Sequence, residues 1–441
     1  MEAIAQTRSV YLEAFEASAQ AAPAWTATLH RRGIEAFEAR GLPGPKEEAW
    51  RKTPLAPVTE QSFAVAEGGG AVSPALARKV ATLGDGPRLV FVDGVIDTDL
   101  SDLGEPGRGL TVVPIGEYAD KAPAVLAEGL GERADVAGHP FVALNTAFFR
   151  DGAFIHAAHG ALPEQPVLVV HIDSGEAEGR AVYPRVLVRA ERGAELQVVE
   201  HFLGEDGVHG LTAPVTEILA DDGAIVDYHR VQEAGDANLH LGAVHIAAAR
   251  DAHVTAHAFS VGARLARVDV YADIDGTGAE VTLNGLYLTR ERQFCDFHTW
   301  VTHHSEHGSS RQLFKGVLQG RSETVFDGLV KVAEGAQKTD AQQQNRNLVL
   351  DKLALAHSNP RLEIYADDVK CAHGSTVGEL DDEALFYLRS RGVGPQDAQG
   401  MLTLAYASEM LQPIRLAAVH DHIRGILLER LPGDEIVRSV V

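Results

Sequence analysis

The chain has 441 residues, 45% of them hydrophobic, and a formal net charge of -23. That length is too great for one ordinary compact domain and suits an elongated repeat domain with flanking pieces. The acidity argues against nucleic acid and against an anionic membrane surface, because nothing in it would neutralise a row of phosphates.

The first residues, MEAIAQTRSVYLEAFEAS, carry no basic start followed by an apolar run, so no secretion signal is expected. No stretch approaches the roughly 18 uninterrupted apolar residues of a membrane span. Two cysteines, Cys295 and Cys371, cannot build a disulfide framework, which points to a reduced, cytoplasmic protein.

Residues 1–85 are expected to form an N-terminal helical region. Tyr11, Leu12 and Phe15 share one helical face; Trp25, Leu29, Ala36 and Phe37 suggest a second helix, stopped by Gly41 and Pro43. GLPGPKEEAWRKTPLAPV, from Gly41, is a proline-punctuated loop that packs around a tryptophan. Gly68-Gly69-Gly70 falls in a polar stretch and is expected to be flexible.

A core of short strands is expected over residues 86–379. PRLVFVDGVID, from Pro87, spells strand, turn, strand around Asp93-Gly94. From Pro166 to Thr376 nothing has the pattern of a long helix. Within it ERGAELQVVEHF, ADDGAIVDYHRV, ARDAHVTAHAFS and GTGAEVTLNGLY repeat one scheme: a turn, an alanine, then an alternating strand. Their alanines, Ala194, Ala224, Ala252 and Ala279, stand 30, 28 and 27 residues apart. A period of that size marks a solenoid, a propeller or an array, and two or three strands per repeat fit a coiled parallel β-helix best. A β-sandwich of antiparallel hairpins is the rival.

Residues 380–441 return to helix. Asp381, Asp382 and Glu383 favour a helix start, Leu385 and Leu388 mark its face, and Gly392 follows Arg391 as a stop. PQDAQGMLTLAYASEML and PIRLAAVHDHIRGILLERL each open on a proline, which a first helical turn accepts. These helices would either cap one end of the solenoid or form a docking surface.

Cys371 and His373 carry the most suggestive chemistry. On a strand both side chains leave one face, and a thiolate and an imidazole are ligands for zinc, iron, copper or an iron–sulfur cluster. Two ligands do not close a four-coordinate site, and a packed cysteine beside a hydrogen-bonded histidine is the plain alternative. His298, His303, His304 and His307 also gather in sequence, but both parities occur, which would spread the rings over two faces. Cys295 is expected in the core. Adjacent carboxylates such as Asp367-Asp368 and Asp381-Asp382 point opposite ways on a strand and make weak acid–base pairs. No nucleophile elbow, phosphate-binding loop or paired-histidine zinc motif occurs, so no P-loop nucleotide site is expected on this chain.

The run KTDAQQQNRNLVLDKLALAHSNPRLEIYADDVKCAHGSTVGELDDEALFYLRSRGV resembles the signature of the SufB/SufD family of iron–sulfur cluster assembly proteins. RQLFKGVLQGRSETVFDGLVKV, FVALNTAFFRDGAFIH and GLPGPKEEAWRKTPL agree, and the last, with the shortage of cysteine, favours the SufD branch. The resemblance is dense from Lys315 to Val393 and patchy from Ala153 to Thr302. It implies a right-handed parallel β-helix between N-terminal and C-terminal helical regions. It also implies a scaffold without turnover chemistry that pairs with a SufB-like paralogue through the β-helices and holds a SufC-like ABC ATPase on its C-terminal helices. Self-association as a homodimer is implied for the isolated chain. His373, with Cys371 as auxiliary ligand or packing residue, matches the family positions at the interface where a transient cluster, shared with the partner, would form. A β-helix enzyme acting on polysaccharide and a purely structural solenoid adaptor are the alternatives.

Overall fold

The computed structural model describes residues 2–18, 24–44, 46–105, 107–121, 126 and 128–431. The side chain of Trp25 and residues 432–441 of the expected C-terminal region lie outside them.

The strands coil into a parallel β-solenoid of about 8 turns. Successive strands alternate between two long sheets, so each turn places one strand in each. Nearly all pairings are parallel; Arg88–Val92 with Val95–Ile96, and Leu110–Pro114 with Ala153–Ala157, are antiparallel. Asp93 and Gly94 turn the first of these hairpins with φ of 49° and 83°, both left-handed as its two-residue loop requires.

The repeating alanines explain the regularity. Ala194, Ala224, Ala252 and Ala279 each precede a second-sheet strand and are fully buried. The strand registers then stack like positions. One inward ladder runs Leu196, Val226, Val254, Val281, Ser310, Ala341, Cys371; the next runs Val198, Tyr228, Ala256, Leu283, Gln312, Gln343, His373. The second changes from apolar to polar toward the C-terminal end, while the first is interrupted only by Ser310 before Ala341 and Cys371.

The outer faces are covered differently. The helices Glu2–Ser18, Ala24–Arg40 and Pro140–Phe148 help cover the first sheet: Tyr11, Phe37 and Phe141 share a core with Leu187, Leu241 and Leu265. Gly41, with φ of 72°, ends the second helix as expected. Trp50 is 2% exposed and the Arg267 guanidinium lies 3.6 Å from its ring centroid. Arg267 is itself held by Asp269 at 2.8 Å and Asp296 at 3.3 Å, so the tryptophan loop is a packed wedge. The deepest ion pair joins the two layers. Arg185 pairs with Glu217, both buried, and Glu217 accepts from the backbone N–H groups of Gly131, Arg133 and Ala134 at 2.8, 3.0 and 3.1 Å.

Helices Pro395–Ser408 and Ala417–Arg430 cover the second sheet, with Leu404, Met410, Ile423 and Leu427 packed on Val199, Val231, Phe259 and Leu286. These two helices lie along the flank of the solenoid rather than across its end, because their apolar residues match outward positions of several turns. Two other expectations are corrected. The last helix starts at Ala417, four residues beyond Pro413, since a turn precedes it. Gly70 is buried rather than part of a flexible linker: a Cβ there would lie 2.0 Å from Ser174 Oγ and 2.4 Å from Asp93 Oδ2. The glycines permit close backbone approach.

Candidate functional site

Strands Leu355–Ile364 and Lys370–Gly378 form the last turn and end the two sheets. No further strand pairs with either among the described residues. Pro360 interrupts the free edge of the first with a residue that lacks an N–H, a common way to blunt an edge; the second has no proline. Helix Asp382–Ser390 follows, capped by the Asp381 carboxylate on the Glu383 N–H at 2.9 Å and stopped near Gly392, with φ of 91°. It buries no residue, and Phe386 and Tyr387 are 73% and 58% exposed. Among the described residues, seven of the nine exposed large hydrophobic side chains fall between Leu353 and Tyr387. The last turn and the helix after it thus carry most of the exposed apolar side chains that the structure describes.

Cys371 pairs in register with Ala341, and His373 with Gln343. Both partners are fully buried, so the two residues occupy inward positions of a turn that no strand covers among the described residues. Cys371 is half-buried and packs on the last apolar residues of the solenoid core; His373 is exposed. Burial pushes the Cys371 thiol above its ordinary value; a backbone hydrogen bond at Ala341 opposes this and the Asp340 charge adds to it. The thiol alone is therefore protonated near neutrality, and a bound cation would reverse that balance. Beside His373 an open groove of about 300 Å3 is lined by Gln343, Asn345, Arg346, Ser375 and Thr376.

Beneath the last turn the interior is polar. Tyr287 donates to Asn347 at 2.7 Å, Asn345 donates to the Tyr287 hydroxyl at 2.9 Å, and Thr299 donates to Gln312 at 2.8 Å. Gln343 reaches Gln312 at 3.4 Å, and Gln312 Nε2 and Gln343 Oε1 have no partner among the described residues. Sequence reasoning missed these residues. Their signal was the run AQQQNRN, polar at both parities of a strand whose inward face should be apolar.

The outer side of the same turns is tied to the flank helices. Lys315, 2% exposed, donates to the Tyr406 carbonyl at 2.9 Å, lies 4.2 Å from the Tyr406 ring centroid and pairs with Glu409. Arg346, one strand from the edge, reaches Glu409 at 3.5 Å.

The histidine group at 298–307 is not assembled. His298 pairs with Asp296 at 3.0 Å, His303 with Ser310 at 2.9 Å and His304 with Asp273 at 3.1 Å, while His307 is an exposed turn residue with φ of 60°. Cys295 is buried, its thiol pushed up to about 12 mainly by desolvation.

Comparison with known proteins adds the family context. Residues 171–406 match the SUF system FeS cluster assembly SufBD core domain, and residues 1–169 match the SufBD protein N-terminal region. The chain is 34% identical to the iron–sulfur cluster assembly protein SufD of Escherichia coli over 89% of its own length and 90% of that protein's. It is 30% identical to an iron–sulfur cluster assembly SufBD family protein of Synechocystis, covering 87% and 86% of the two chains. Identity to SufD of Bacillus subtilis is 24%, over 66% of each chain.

Proposed function

This chain belongs to the SufBD family and is a scaffold subunit of iron–sulfur cluster assembly, and we propose that its open last turn is half of the site where a nascent cluster is built. The cluster is cargo, held transiently. His373 supplies an imidazole, Cys371 an auxiliary sulfur or a packing contact, and a SufB-like paralogue closes the coordination shell from the other side of the interface.

The observation that carries this reading is the termination of two inward ladders, at Cys371 and His373, on a turn with no covering strand. The exposed apolar residues from Leu353 to Tyr387 support a protein partner there. Incomplete coordination suits a scaffold, which must release what it holds.

A SufC-like ABC ATPase would dock on the C-terminal helices, and its nucleotide cycle would move them. The Lys315–Glu409 and Arg346–Glu409 pairs offer a mechanical link from those helices to the turns next to the edge. On this reading the chain binds no nucleotide, performs no turnover and works in the cytoplasm, and the isolated chain pairs with itself through the same edge. A polysaccharide-acting role has no support from the family match.

Replacing His373 with alanine in cells that depend on this machinery tests the half-site: cluster assembly should fail while the complex still forms. Normal assembly would end the proposal. Deleting residues 397–441 should abolish binding of the ATPase, and unchanged affinity would remove the docking reading.

A further inference from the structure

A second polar group lies away from the last turn, on the outer face of the second sheet near the flank helices. Asp227 and His229 stand two residues apart on strand Ile225–Glu233, so they share its outer face. His257, on the next strand His253–Ser260, is the register partner of His229. The two imidazoles stack with centroids 4.8 Å apart and planes 5° from parallel. Asp227 Oδ1 lies 3.2 Å from His229 Nε2 and 3.7 Å from His257 Nε2.

His229 and His257 are 0% and 1% exposed, and beyond the shared Asp227 carboxylate, at 3.2 and 3.7 Å, no ring nitrogen of either has a hydrogen-bond partner among the described residues. Buried polar atoms are normally paired, so two stacked buried imidazoles that share one carboxylate and leave both Nδ1 atoms unbonded call for an explanation. Packing alone does not supply it. Several other buried histidines bond through a ring nitrogen, as His139 does to Asp269 at 2.6 Å and His303 to Ser310 at 2.9 Å, although His201 shows no hydrogen bond at either nitrogen.

The geometry points to a site for one divalent transition-metal ion, Zn2+ or Fe2+, held by Nε2 of His229, Nε2 of His257 and Oδ1 of Asp227. Two imidazoles and a carboxylate are a donor set that both ions accept, with further positions left for water or another donor. The three donor atoms lie within 4.8 Å of one another; bonds of about 2.0–2.2 Å to one ion would require the stacked rings to turn so that their in-plane Nε2 lone pairs converge.

The protonation states agree. Desolvation lowers His257 to about 4, helped by His229 and opposed by Asp227, so its ring is neutral and able to ligate. Burial raises the Asp227 carboxyl, but His229, His257 and Arg415 outweigh it and hold the group below its ordinary value.

A neighbouring trio, His201, Glu233 and His422, provides a contrast. There Glu233 already accepts from His422 at 2.9 Å and faces Lys79 at 3.7 Å, so an ion-pair network accounts for the carboxylate. Asp227 has only the two imidazoles, at 3.2 and 3.7 Å, and the more distant charge of Arg415. An ion there would pin two adjacent turns together, independently of the cluster cargo at the last turn.

The test is equilibrium dialysis of the full chain against Zn2+ and, anaerobically, against Fe2+, with bound metal counted for the wild type, Asp227→Asn and His257→Gln. The wild type should hold one equivalent more of at least one of these ions than either variant, or bind it at least tenfold tighter, and that ion should raise the wild-type Tm more. If His257→Gln does not fold, the near-isosteric Asp227→Asn decides. Equal metal content and equal affinity in wild type and Asp227→Asn, for both ions, would overturn the assignment whatever other sites bind.

Discussion

Strands Ile225–Glu233 and Lys370–Gly378 belong to the same sheet and the same ladders, and they live in opposite surroundings. The first has a neighbour on each edge and helices on its outer face, and its inward residues Val226 and Tyr228 are 1% exposed. The second has one neighbour, and its inward positions carry a thiol and an imidazole near solvent. Repetition of one backbone unit gives stability where turns are covered and leaves reactive groups where they are not. An interior turn must satisfy itself; a terminal turn can be finished by another molecule.

Substitutions should separate the two regions cleanly. The largest stability loss is expected for Glu217→Ala, which strands the buried Arg185 guanidinium and three backbone donors; about 3–5 kcal/mol should disappear in denaturant unfolding. Leu427→Ala, at a fully buried position between the last helix and the second sheet, should cost about 2–5 kcal/mol and expose the outer face of that sheet. Hydrogen exchange of Ala417–Arg430 would then speed up, whereas exchange of Lys370–Gly378 would not.

Acid should act on the covered region. Desolvation lowers His30 and His303 to about 4, in His30 with Arg185 adding to it against a backbone hydrogen bond, and in His303 with His304 adding to it. Unfolding frees each to its ordinary value near 6.5, so the unfolded chain takes up protons that the folded chain refuses. The contribution of each to stability is present above about pH 6.5 and is lost as pH falls toward 4. His30→Gln should reduce proton uptake on unfolding by about one at pH 5 and flatten the stability profile there. An unchanged slope would contradict the assignment.

The smallest stability effect is expected at the open turn. His373→Ala removes an exposed ring and should shift unfolding free energy by no more than about 0.5 kcal/mol. A larger change would mean that the last turn is structural.

Much of the covered region was legible in the sequence. The alanine spacing gave the solenoid period because each alanine sits at the same buried corner, where a larger side chain would not stack. Asp93-Gly94, Gly41, Asp381 and Gly392 marked real turns and helix ends because their local chemistry decides their conformation. Pro413 misled because proline starts a turn as readily as a helix. The flexible reading failed at Gly70 because its close approach to Asp93 and Ser174 is a tertiary fact, whereas Gly69 is exposed with open space around it. The site was half legible. Spacing put Cys371 and His373 on one face, and the ladders to Ala341 and Gln343 agree. That their turn lies uncovered could not be read from residue types, since it depends on which strand comes next and where the following helices pack. The Asp227, His229 and His257 group was invisible for a related reason: its members meet only when two turns stack in register.

Anaerobic reconstitution with iron and sulfide, followed by absorbance, tests the shared half-site most directly. It should be run on this chain alone, on the chain with the proposed SufB-like paralogue and SufC-like ATPase, and on that complex carrying His373→Ala. The account predicts cluster absorbance only in the intact complex and its loss in the substituted one. A full cluster on the isolated chain as a monomer, or an undiminished cluster in the His373→Ala complex, would contradict it.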